Sequence, residues 1–548
     1  MNPPRNIDTI NMFQIFSRPN DSMRRPKFTV PAPDTIENPH VEIHPGSLRQ
    51  WIASLPYASP ARVAEAIITN LAQLNRFPGR VPDRIELMEL YRLPTTRLCR
   101  IASNKPGAPS VKQIRQLMQE MAYGHKHIVN ECLRQKSWLK HRKRLLGGVY
   151  YAIKFLSLDQ LTTFEGYDCH ATNAWREILQ LYNLAEQQNQ QHDLIDDRDQ
   201  AVPKNASAAH QLKRILLLAL LDPCHLKAGE ARLCYGYLNQ FAGKARFEEL
   251  KSEADPAGRY IIDMLGEVPP RLFDPDTSGT LASPRFRLLN INPVSKRLHQ
   301  SLRKIELRGE APPMGLQHLS SKDAAGTLRD MLKSWHIRKE RSSKRQDAYG
   351  QVTVAIGISS IHHFLAIATP AASKPDEEEG ESVTLASGNL GGGFKPRHQR
   401  LTCKLTNCSK TGVAIHLPLQ SSSLKLVGQL VLITEKHPDQ PDSLKIGEVR
   451  RALKRGGEML ELGIQFLKGH VMPVTLNPIG GGGGDLRTQP CLYVDRGAPK
   501  KNTLLSTKGQ LKTGREYLVA EQIPAPVIVP TEQASSTPYY ERLKVRYK

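Results

Sequence analysis

From Pro45 to Trp335 the apolar residues recur every three or four positions, the period of a helix with one inward face. Leu48, Trp51, Ile52 and Leu55 make one stripe, and Val63, Ala66, Ile67, Leu71 and Leu74 make the next. Between them Ser59 is a candidate N-cap and Pro60 suits the first helical position, where its missing N–H costs nothing. Further stripes hold Ile114, Leu117, Met118 and Met121, then Leu145, Val149, Ala152 and Ile153. Ile178, Leu179, Leu181, Tyr182 and Leu184 form another, as do Leu212, Ile215, Leu216 and Ala219. Tyr150, Tyr151 and Phe155 share this spacing and read as core rather than as an interface. The pattern predicts a bundle or irregular solenoid of helix pairs, without the fixed period of a helical-repeat family.

Near residue 350 the period shortens. Gln351 to Ile358, Leu401 to Leu405, Val413 to Leu417 and Leu426 to Ile433 are short runs rich in Val, Ile, Leu and Thr. Val449 to Leu453 and Met459 to Phe466 flank Gly456-Gly457, a hairpin signal. Five or six such strands predict a small antiparallel barrel or sandwich. Cys491 to Val494 and Glu516 to Ala520 add strands to a β-rich tail, the start of a second small β unit. The fold class expected is α+β and multidomain: a helical N-terminal region, a small antiparallel β-barrel, then the tail. Residues 1–44 are Pro-rich and polar, predicting disordered or extended chain. The helical part spans 45–336, the barrel 337–470 with a flexible acidic and Gly-rich insertion at 371–393, and the tail 471–548. The five glycines from Gly480 to Gly484 read as a loop.

Composition narrows the function classes. Lys plus Arg number 76 against 53 Asp plus Glu, a net charge of +23 that favours anionic partners. No apolar run is long enough to span a bilayer, and the N-terminus lacks a signal-peptide core, so a cytoplasmic protein is expected. The eight cysteines, Cys99, Cys132, Cys169, Cys224, Cys234, Cys403, Cys408 and Cys491, contain no CxxC pair, which predicts reduced thiols. His362-His363 falls in a strand-like run, where neighbours face opposite ways, and no further metal ligand can be placed beside it. Cys224-His225, Cys403 and Cys408 read as ordinary packed or surface residues, and the carboxylates from Asp376 to Glu379 have loop composition. No GxxxxGK[ST], GxSxG or HExxH pattern asks for an enzyme. The basic cluster Lys136 to Arg144, with Trp138 inside it, reads as a solvated helix face, with contact to nucleic acid as the lesser alternative.

Two signals carry chemistry. Asn407-Cys408-Ser409-Lys410-Thr411-Gly412 lies between strand-like runs and predicts a hairpin. There Asn and Ser either fold onto backbone donors or face a ligand. Gly412 is expected to supply a positive φ. Upstream, Arg338-Lys339-Glu340-Arg341-Ser342-Ser343-Lys344-Arg345 places Arg341 and Arg345 four positions apart, within reach of one anion. A guanidinium pairs bidentately with phosphate, reads guanine O6 and N7, and stacks on a base.

Together with Gly447-Glu448-Val449-Arg450-Arg451 and Leu462-Gly463-Ile464-Gln465-Phe466, these motifs resemble the PilZ domain over about Ile337 to Gly469. The resemblance implies a six-stranded barrel that binds the bacterial second messenger cyclic di-GMP, with no metal, other cofactor or catalysis. By position it assigns Arg341 and Arg345 to the linker clasp, Asn407 and Ser409 to the barrel surface, and Gly412 to the turn. The 62 positions between Arg345 and Asn407 are more than the family usually shows; the insertion accounts for the excess. Arg397 and Arg400 are a competing pair that leaves no room for the first strand. The function expected is a cyclic di-GMP effector that passes occupancy to a protein partner. The alternative is a basic helical scaffold, or a nucleic-acid-binding protein, whose barrel has lost its ligand.

Overall fold

The computed structural model describes residues 28–34, 42–77, 81, 83–101, 107–135, 141–169, 174–197, 199, 205–251, 254–278, 285–336, 344–368, 398–418, 426–437, 440–456, 459–479, 488–498, 501–520 and 525–548. The helical region opens with α1 (Pro45–Ala53), α2 (Pro60–Arg76), α3 (Arg84–Cys99), α4 (Val111–Arg134), α5 (Arg142–Glu165) and α6 (Ala174–Gln187). Pro60 stands at the predicted first position of α2, but the Ser59 side chain makes no capping bond. A reciprocal capping box starts α4 instead: Ser110 Oγ accepts from the Gln113 amide, and the Gln113 side chain accepts from the Ser110 amide. Helix α5 is buried around most of its circumference and forms the axis of the bundle, packed by α4 and α6. Gly148 lets α4 come close, since a Cβ there would press on Val129, Ile128 and the His125 carbonyl.

A two-stranded ribbon, β1 (Ile195–Asp196) with β2 (Asn205–Ala206), leads into α7 (Ala208–Ala219) and α8 (Glu230–Leu238). A small sheet interrupts the predicted all-helical stretch. It holds β3 (Arg246–Glu249), β4 (Arg259–Asp263), β5 (Arg271–Leu272) and, past the single turn α9 (Pro275–Ser278), β6 (Phe286–Asn290), in the order β3-β6-β4-β5. Strands of two to five residues are too short to register as a period. The long helices α10 (Asn292–Arg308) and α11 (Ser321–His336) finish this half.

The predicted barrel is a closed six-stranded one. It comprises β7 (Gln346–Ile356), β8 (Leu401–Ser409), β9 (Gly412–Pro418), β10 (Leu430–His437), β11 (Gln440–Arg455) and β12 (Met459–Phe466). Alternate residues such as Val352, Val354, Cys403, Leu405, Ile415, Val431, Leu460 and Leu462 fill its interior. Between β7 and β8 lies a helix, α12 (Ile358–Ala368), where the sequence predicted strand as far as Ile358 and through His362-His363. Gly357, at φ 86°, turns the chain from one to the other. The tail is a complete second barrel rather than a few added strands. Its strands are β13 (His470–Pro478), β14 (Gln489–Asp495), β15 (Thr503–Thr507), β16 (Tyr517–Val519), β17 (Val527–Ser536) and β18 (Tyr540–Tyr547). Residues 467–469 join the barrels, and α12 is wedged between them, its Ile358, Ile361 and Leu365 sharing a core with Leu430, Leu432, Leu492 and Leu505.

The helical half also seats the first barrel. Tyr167, just past α5, packs into the barrel's own core. Its carbonyl accepts from Lys454 N–H at 2.9 Å and its hydroxyl from Val427 N–H at 3.3 Å.

Within 1–44, Phe28 is buried and exchanges two hydrogen bonds with the Asn130 side chain; residues 1–27 and 35–41 lie outside the described residues. So do the 371–393 insertion, the Gly480–Gly484 run, the Asp376–Glu379 carboxylates and residues 136–140 of the basic cluster, whose remainder opens α5.

Candidate functional site

The hairpin predicted from sequence is present: β8 and β9 meet through Lys410-Thr411, with Ser409 paired to Gly412. Ser409 Oγ donates to the Gly412 carbonyl at 3.1 Å, closing the turn. Its one proton is thereby committed inward, and what remains for a ligand is acceptor capacity, suited to a guanine N–H. Asn407 is half-buried, and its carboxamide makes no hydrogen bond among the described residues. It follows an irregularity between Leu405 and Asn407, where Thr406 bonds the Ala414 carbonyl at 3.0 Å; such bulges re-aim the side chains beside them.

Gly412 is required for a reason other than the predicted positive φ, which it does not have. A Cβ at this position would strike the Ile464 carbonyl on the neighbouring strand β12. Close backbone approach selects glycine here, and the Phe466 N–H to Thr411 carbonyl bond, 3.0 Å, fixes the end of β12 under the turn.

The ladder between β7 and β8 determines what else reaches this corner. Gln346 pairs with Cys408 and Asp347 with Asn407, antiparallel. Arg345 is the residue immediately before Gln346, and so adjoins the end of the ladder where Cys408 lies between Asn407 and Ser409. Directly opposed side chains in such a ladder lie about 5 Å apart at Cβ. Arg345 is exposed, as are its neighbours Lys344 and Gln346 and the turn residue Lys410. Lys344 and Lys410 belong to the two motifs without being assigned to the site; Lys410 stands in the hairpin turn and Lys344 next to Arg345. Arg341 lies outside the described residues, in the connector 337–343 between α11 and β7.

The competing assignment fares differently. Arg400 stands at the opposite end of β8, seven residues from Asn407, about 24 Å along an extended strand. Its guanidinium lies 4.2 Å from the Phe364 ring on α12. Arg397 lies outside the described residues. His362 is bonded to Thr475 at 3.2 Å and His363 stacks on His398, ring centres 4.4 Å apart. Among the described residues no group of three or more His, Cys, Asp or Glu could hold a metal ion, and no helix is long and apolar enough to cross a membrane.

Two features of the helical half escaped the sequence. The first is a buried ion network centred on Lys154, whose Nζ lies 2.7 and 2.8 Å from the Asp197 oxygens and 3.1 Å from Asp199. Tyr150, core as predicted, donates to Asp197 at 2.8 Å, and Gln211 donates to Tyr150. Burial opposes the charge on Asp197, but Lys154 and Tyr150 outweigh it and hold the carboxyl below its ordinary range. The second is a disulfide between Cys169 and Cys224, which corrects the expectation of eight reduced thiols; the other six cysteines are free.

Comparison with known proteins adds to this geometry. Residues 46–253 match the model of the N-terminal domain of the cyclic-di-GMP receptor FimW, and residues 261–389 match that of its middle PilZ domain. The PilZ likeness is therefore not confined to the C-terminal third. It starts in β4 and includes the arginine connector and β7, while β8 to β12 lie past its end. The chain is also 25% identical over 365 residues to the cyclic-di-GMP receptor FimW of Pseudomonas aeruginosa, covering 62% of this chain. It spans about half, 56%, of that relative's length.

Proposed function

We propose that this chain, similar to the FimW family in its N-terminal and PilZ regions, binds cyclic di-GMP at the Arg345 end of the first barrel and passes occupancy to a protein partner. The observation that supports this reading is the β7–β8 ladder, in which Gln346, the residue after Arg345, pairs with Cys408 between Asn407 and Ser409. Arg341 and Arg345 clasp phosphates and guanine edges, Asn407 and Ser409 take polar base atoms, and Gly412 keeps the turn close to β12. The binding unit is 337–470, and the protein works in the cytoplasm without chemical change to the ligand.

Each charge-assisted hydrogen bond contributes about 1.5–3 kcal/mol. Two arginines and two polar groups then reach the roughly 8 kcal/mol of a micromolar complex. Because both arginines lie between α11 and β7, a ligand held by them and by the barrel links the end of α11 to the first strand. The signal is the difference in ligand affinity between the docked and undocked arrangements.

Calorimetric titration of the full chain with cyclic di-GMP across a salt series tests the reading. Saturable binding with shallow salt dependence, and intact nucleotide recovered afterwards, is expected. Absence of binding at high micromolar ligand, with steeply salt-dependent binding of a DNA or RNA oligomer, would favour the scaffold alternative. Recovery of hydrolysed nucleotide would make the protein an enzyme instead.

A further inference from the structure

The Cys169–Cys224 bridge lies where the helical half meets the first barrel. Cys169 is two residues beyond Tyr167, the side chain seated in the barrel core. Cys224 sits in the short 3-10 turn Pro223–His225, which packs on β11, and three residues later the stem of Lys227 lies near Gly428 in the turn before β10. The disulfide thus ties together the two helical-side segments on which the barrel rests.

Both segments turn through the left-handed region. Asp222, at φ 57°, is of a residue type that visits it readily, whereas Tyr167, at φ 58°, adopts it only under constraint. Each lies two positions before its cysteine. Two constraints act on the Tyr167 turn, the barrel contacts and the covalent bridge, so loss of the bridge leaves the barrel contacts to hold the turn unaided. Cys224 is buried and Cys169 half-buried, which gives an attacking thiolate one approachable sulfur.

We infer that the Cys169–Cys224 bridge is a redox-operated clasp that sets how firmly the first barrel is seated on the helical region. Closing it takes two electrons and two protons from the two thiols and delivers them to a small-molecule disulfide such as glutathione disulfide, which leaves as two thiols. Opening it takes a dithiol: one reductant thiolate attacks Cys169 Sγ and Cys224 departs as thiolate, then the second reductant thiolate attacks the mixed disulfide, releasing Cys169 as thiolate and leaving the reductant as its own disulfide. The clasp acts on domain seating whether or not the first barrel binds a nucleotide.

The test uses the full chain in both redox states. Alkylation of denatured protein should modify six cysteines after oxidation and eight after reduction, with a peptide linking 169 to 224 in the oxidised sample alone. Hydrogen exchange at the Val427 and Lys454 amides, the two donors to Tyr167, should quicken at least tenfold on reduction. Cys224→Ser and Cys169→Ser should exchange at the faster rate in either reagent. The wild-type comparison stands alone if either variant fails to fold. Eight alkylated thiols after oxidation, or equal exchange of both amides in the two states, would overturn the inference.

Discussion

Arg345→Ala provides the most direct test of the binding site. Arg345 is exposed and immediately precedes the first strand, so its removal changes stability by no more than about 0.5 kcal/mol. A guanidinium bound to phosphate or guanine loses about 1.5–3 kcal/mol on truncation, hence roughly 10- to 150-fold in affinity. Calorimetry should therefore show a weakened cyclic di-GMP complex alongside an unchanged thermal midpoint. Arg400→Ala is the internal control, because about 24 Å of strand separates it from Asn407. It should bind as the wild type does. Unchanged affinity in the Arg341→Ala/Arg345→Ala double variant, with binding abolished by Arg397→Ala or Arg400→Ala, would refute the linker assignment and move the site to the other end of β8.

Gly412→Ala should destabilise the barrel by roughly 1–3 kcal/mol, because the added methyl meets the Ile464 carbonyl rather than a pliable side chain; chemical denaturation would show it. Lys154→Met leaves Asp197 buried without its cation and should cost about 3–5 kcal/mol, read as a lower urea midpoint. Burial holds the imidazoles of His125, His127 and His210 neutral, with pKa values lowered to about 3, about 4 and about 4. The unfolded chain binds these protons near pH 6.5 and the folded chain does not, so stability falls as pH drops below 6.5. The limiting slope is about 4.1 kcal/mol per pH unit for three protons. Denaturant titrations between pH 7 and 4.5 measure that slope, and His125→Gln should remove about a third of it.

Much of this architecture is written in local spacing. Stripes such as Val63, Ile67, Leu71 and Leu74 specify their helix because one face is buried whatever lies across from it. The strands of the first barrel alternate for the same reason, with Val352 and Val354 facing inward. Helix α12 replaces the expected strand because Ile358, Ile361, Phe364 and Leu365 come from a short, strongly apolar segment, in which strand and helix carry the same composition. The second barrel shows only partly in the sequence, since a glycine run and scattered prolines break its pattern. At the candidate site, residue types were legible while geometry was not. The pairing of Gln346 with Cys408, next to Arg345, is a property of strand register, and the role of Gly412 depends on a carbonyl 52 positions away. The union of Cys169 and Cys224 likewise joins the ends of different helices, which no spacing along 55 residues foretells.

Only residues 467–469 separate the two cylinders, and the apolar side of α12 cements them. Turning one cylinder against the other would pull Ile358, Ile361 and Leu365 away from Leu430, Leu432, Leu492 and Leu505 and expose them to water, so burial of that seam resists independent rotation.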